Sequence, residues 1–102
     1  MSLNIGFTPA STEELQIIAD AVREQVNQVH SLNNKTFIVV HGLKKDIGAA
    51  IIYKIKMQIS ETEFYDIRVT KVEHFYGDSI LVGSIFTDHT IDSEFTNLSN
   101  VN

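Results

Sequence analysis

The apolar residues of this chain change their period once, near residue 35, and that change limits the folds open to it. Before it, Leu15, Ile18, Ala19, Val22, Val26 and Val29 recur at steps of one, three and four, which draws a single stripe on an α-helix. After it, apolar and β-branched residues fall at every second position, the spacing of strands with one buried face. No second helical pattern follows before the tail. One helix must therefore be laid on one sheet, an α+β plan.

The helix has a legible start. In Ser11-Thr12-Glu13-Glu14 the Ser11 hydroxyl can cap an orphan amide, and Glu14, three residues on, can reach back to the Ser11 amide. The acidic pair suits the positive end of the helix dipole. Gln16, Asp20, Arg23, Glu24 and Asn27 fall on the polar side. A helix over 12–31 is about 30 Å long, enough to cross a domain of this size, and Asn33-Asn34 ends it. Residues 1–9 show no periodicity and close on the only proline, so they read as an extended arm outside the core.

The sheet strands are expected over 36–40, with an extension to 43 left open, and over 49–59, 64–74 and 79–87. Between the first two lies a charged turn, Lys44-Lys45-Asp46-Ile47-Gly48. In the second strand Ile51, Tyr53, Ile55, Met57 and Ile59 form a buried face, while Ile52, Lys54, Lys56 and Gln58 form a largely wet one. Ser60-Glu61-Thr62-Glu63 is a polar turn. The third strand alternates Tyr65, Ile67 and Val69 with Asp66, Arg68 and Thr70, then slips phase at Lys71-Val72 as at a bulge. Phe75-Tyr76-Gly77-Asp78 makes the next turn, and residues 88–102 form a polar tail anchored by Ile91, Phe95 and Leu98. Gly42 and Gly83 lie in or beside strand patterns, where a bulge or close packing against the helix uses them. The organisation expected is an arm over 1–10, a single domain over 11–98 and a tail over 99–102.

Composition narrows the function classes. In 102 residues, eight Lys and Arg stand against thirteen Asp and Glu, a formal charge of -5, and the basic residues are scattered. Non-specific nucleic-acid binding is disfavoured. With no cysteine, disulfides, thiolate metal sites and a cysteine nucleophile are excluded, and a reducing compartment such as the cytoplasm fits. No apolar run approaches the roughly 18–20 residues that span a bilayer, and no secretory leader pattern opens the chain. His30, His41, His74 and His89, and the string Asp88-His89-Thr90-Ile91-Asp92, match no metal spacing and read as solvated or capping groups. Neither a Gly-x-Ser-x-Gly elbow nor a phosphate loop is present. An enzyme, a cofactor and a metal are not expected. Phe75 and Tyr76 at a hairpin tip beside Gly77 suit an interface anchor, the alternative being that one of them folds back on the core. Gly6 in the arm would let backbone lie close to a partner.

The helix segment Thr12-Glu13-Glu14-Leu15-Gln16-Ile17-Ile18-Ala19-Asp20-Ala21-Val22-Arg23 resembles the helix of the stefins, the small disulfide-free cystatins. Ile52-Tyr53-Lys54-Ile55-Lys56 and Tyr65-Asp66-Ile67-Arg68-Val69 are similar to that family's second and third strands, and the likeness spans about residues 6–98. It implies a cystatin-like fold, with one long N-terminal helix packed across a twisted four- to five-stranded antiparallel sheet. It also implies a reversible competitive inhibitor of papain-like cysteine proteases that wedges an arm and two hairpin loops into the active-site cleft. By position the wedge falls on Gly6 and Phe7, on Asp46, Ile47, Gly48, Ala49 and Ala50, and on His74, Phe75 and Tyr76. The family's first loop carries Gln-x-Val-x-Gly, and here Asp46, Gly48 and Ala50 replace all three fixed residues. That departure keeps a second expectation open: a cystatin-fold interaction or assembly module without inhibitory activity. The partner expected is a papain-like protease, with no nucleic acid and no membrane, and the chain is expected as a monomer or a strand-swapped dimer.

Overall fold

The structure, a computed structural model, describes residues 6–32 and 35–89. The elements run β1 (Thr8–Pro9), α1 (Thr12–Val29), β2 (Ile38–Asp46), β3 (Ala50–Gln58), β4 (Phe64–His74) and β5 (Gly77–His89). The five strands form one antiparallel sheet in chain order, β1-β2-β3-β4-β5, with α1 packed on one face. This is the α+β plan expected from the change of period. The proposed tail anchors Ile91, Phe95 and Leu98 lie outside the described residues, as do Asn33 and Asn34.

At the start of α1 the Ser11 hydroxyl accepts the Glu14 amide at 3.1 Å, as expected. Replacing Ser11 by alanine should cost about 1 kcal/mol, read as a lower urea midpoint at unchanged slope. The other half of the expected box is absent, because the Glu14 carboxylate is taken by Lys44 Nζ, at 2.9 and 3.2 Å, and by the Tyr53 hydroxyl at 2.8 Å. A partner on the sheet outcompetes a local amide and fastens the helix to β2 and β3.

Leu15, Ile18, Ala19, Val22 and Val26 are buried against Tyr53, Ile55, Met57, Ile67 and Val69. At roughly 2 kcal/mol per large side chain, this seam is the main source of stability. Val29, expected on the stripe, is 69% exposed. The helix ends there, and the Asn27 side chain accepts the Leu32 amide at 2.8 Å, so the chain turns and Leu32 fills the core instead.

Three strand expectations are corrected. Thr8 and Pro9 are not loose arm but a short edge strand on Lys44 and Leu43. Lys44 and Lys45 sit inside β2 rather than in a turn, because Lys44 is held by Glu14 and both residues pair with β3. The bulge expected at Lys71-Val72 is not there: those residues pair regularly with Ile51 and Ala50, and the register shifts lie between Val39 and His41, Phe64 and Asp66, and Arg68 and Val69. The last of these sets Gly83 as the extra residue opposite β4, which is the bulge reading of that glycine.

The face of β3 away from the helix is also not wet. Lys54 and Lys56 are both 0% exposed. Lys56 Nζ lies 2.8 Å from the Asp66 carboxylate directly across the ladder, and the Phe7 ring sits 4.5 Å from Lys54 Nζ. Burial, with the Arg68 and Lys45 cations nearby, holds the Lys54 ammonium below the usual lysine range. A period of two separates the faces of a strand; it does not say that the polar one is left in water.

Candidate functional site

Three of the expected binding segments lie at one end of the sheet. The β2–β3 hairpin tip holds Ile47, Gly48 and Ala49; the β4–β5 tip holds Phe75 and Tyr76; and the arm enters beside β2, with Gly6 against the Lys45 side chain. The Glu73 amide donates to the Ala49 carbonyl at 2.8 Å, which extends the β3–β4 ladder past Ala50 and Val72 and joins one tip to the stem of the other.

The second tip has the clearer chemistry. Phe75 is 102% exposed and Tyr76 73%, so neither folds back on the core. Tyr76 stacks on His74, with centroids 4.8 Å apart and 7° between planes, and meets Phe75 edge-on at 5.3 Å. Gly77, at φ 131°, supplies the backbone conformation that lets so short a turn present two adjacent aromatic rings. The stack on His74 orients the Tyr76 ring, while Phe75 stands wholly in solvent beside it.

The first tip is smaller and turned partly on itself. The Asp46 carboxylate accepts the Gly48 amide at 2.9 Å, and the Ile47 amide donates to the Ala50 carbonyl at 2.9 Å. Gly48 takes φ 103° with open space around it, and Ile47 is the large exposed apolar side chain of the loop, with Ala49 exposed beside it. Ala50 is half-buried in β3 rather than at the tip. Phe7 is likewise half-buried, resting on Lys54 and 5.9 Å from Lys45 Nζ. Presentable apolar surface is therefore Ile47, Phe75 and Tyr76, with Gly6 backbone beside them.

Behind the first tip the Glu14, Lys44 and Tyr53 cluster fixes the base of β2. The Lys44 hydrogen bond, with that of Tyr53, holds the Glu14 carboxyl below the usual 4.5, and burial together with the Glu14 carboxylate pushes the Tyr53 phenol up. Sequence reading did not find this triad, since nothing in their numbering joins residues 14, 44 and 53. Because the folded carboxyl is the stronger acid, its contribution is complete above pH 4.5 and is lost as pH falls below it. The wild-type melting temperature should therefore drop faster between pH 4.5 and about pH 3 than that of Glu14→Gln, followed by circular dichroism.

His30 meets Tyr65 edge-on at 5.4 Å and His74 serves the aromatic cluster. Among the described residues no three His, Asp or Glu side chains could hold a metal ion, and no helix is long and apolar enough to cross a membrane. No protein-family profile, no curated protein and no solved structure matches this chain.

Proposed function

We propose that this protein is a reversible competitive inhibitor of papain-like cysteine proteases, acting through a wedge made of the arm at Gly6, the tip at Ile47 and the aromatic tip at Phe75 and Tyr76. The observation that carries the reading is two adjacent exposed aromatic rings, in edge contact, at the same sheet end as a second exposed hairpin. The stefin-like residue pattern supplies the class of target. A wedge of this kind fills a cleft with apolar side chains and close backbone, burying about 800 Å² per partner, and needs no chemistry of its own. Cytoplasmic residence belongs to the same proposal, on the lack of cysteine.

Titrating papain with the protein and following hydrolysis of a small peptide substrate tests it. Stoichiometric, competitive loss of activity is expected, and full activity at micromolar protein would refute inhibition of this enzyme. The second reading, a non-inhibitory interaction module, draws on the first tip: the Asp46 side chain is engaged by its own loop and Gly48 offers no side chain to fill a cleft. That reading predicts a protein that leaves papain untouched. In its strand-exchanged form it also predicts a dimer, which sedimentation velocity would detect.

A further inference from the structure

The sheet ends in two borders, and one helix reaches both. Gln16 Nε2 donates to the Phe37 carbonyl at 3.1 Å while its Oε1 accepts the Val39 amide at 3.0 Å. Gln25 does the same at the other border, donating to the Ile80 carbonyl at 2.9 Å and accepting the Val82 amide at 3.1 Å. Nine residues are two and a half helical turns, so the two amides leave α1 on opposite flanks. Each takes the carbonyl of one residue and the amide of the second residue after it, the pair of groups that an incoming strand would use.

Between each gripped pair stands an exposed apolar side chain, Ile38 at 54% and Leu81 at 59%. Natural sheet edges are usually kept from pairing by charges, proline or very short strands. Here residues 79–87 contain neither a charge nor a proline, and β5 is 13 residues long. At the β2 border residues 36–40 are equally uncharged, and β1 covers only Leu43 and Lys44.

We propose that the β5 edge around Leu81 is a latent self-pairing surface whose partner is a second copy of this chain, and that the Gln25 amide holds it shut, as Gln16 does at the β2 border. A second copy is the occupant because the uncharged run meets itself without like-charge repulsion, whereas a charged partner strand would find no complement along it.

Sedimentation velocity on wild type, Gln25→Leu and Gln25→Leu with Leu81→Lys tests the proposal, with hydrogen exchange at the Val82 amide as a second readout. The wild type is expected as a monomer at about 100 µM, with Gln25→Leu forming dimers and the added lysine returning it to monomer. At low concentration, where the variant is monomeric, its Val82 amide should exchange about tenfold faster or more than in the wild type. A folded Gln25→Leu that stays monomeric, or assembly that persists with Leu81→Lys, overturns the proposal. Should Gln25→Leu not fold, Gln25→Glu keeps the acceptor for Val82 and loses the donor to Ile80. It should then show weaker assembly with the same dependence on Leu81, and its absence would equally overturn the idea.

Discussion

Alanine at position 42 is expected to lower stability by about 3 kcal/mol, dropping the melting temperature by roughly 15 °C. A Cβ there would lie 2.5 Å from the Lys54 carbonyl oxygen and 2.9 Å from Leu15 Cδ1. The first contact is with backbone in the middle of the β2–β3 ladder, so relief requires β2 to move away from β3 or the helix to lift from the sheet. Leu15 is itself fully buried in the seam, so it has nowhere to go without opening a void elsewhere. Gly83→Ala is the control. Its Cβ would meet the Arg68 side chain at 3.4 Å and backbone at 3.6 Å, which is ordinary contact, so the change should fall within about 0.5 kcal/mol of wild type. Urea denaturation of both variants decides the matter: equal losses would show that helix-to-sheet closeness at residue 42 is not what limits the side chain there.

The joint variant Phe75→Ala with Tyr76→Ala should weaken papain inhibition on the order of a hundred-fold, while Asp46→Ala should change it less than tenfold. Phe75 stands wholly in solvent and Tyr76 is exposed outside the core, so their removal leaves the core intact, and thermal unfolding should be nearly unchanged. The Asp46 carboxylate already spends itself on the Gly48 amide within its own turn and has less to offer a partner. Inhibition constants measured side by side, with melting curves to exclude unfolding, give the comparison. A larger effect at Asp46 than at the aromatic pair would move the weight of the wedge to the first loop.

Periodicity was enough for the order of α1 and the four long strands, the bounds of β4 and the inward residues of α1 from Leu15 to Val26, because those depend on local spacing alone. It could not reach what depends on encounters between distant segments. Glu14 reads as a capping residue until Lys44 and Tyr53 arrive beside it. Lys54 and Lys56 read as solvent-facing until Asp66 and Phe7 lie over them. Thr8 and Pro9 carry no strand signal, yet β2 offers them an open border. The binding segments follow the same division. Exposure at Phe75 and Tyr76 was legible from an aromatic pair beside a turn glycine, whereas the half-buried seats of Phe7 and Ala50 depend on the register of neighbouring strands. Gln16 and Gln25 read as polar-face residues or passed without remark, because a glutamine that replaces a missing strand looks like any other on a helix.

The hydrogen bond between Glu73 and Ala49 has a mechanical meaning for any partner that meets this end of the molecule. Two hairpin tips that could have swung independently are instead prongs of one stiff fork, their spacing set by the ladder behind them. A partner reads a fixed gauge rather than two flexible fingers. Affinity gained at one prong is therefore delivered to the other without a further ordering cost, and a cleft of the wrong width is rejected by both at once.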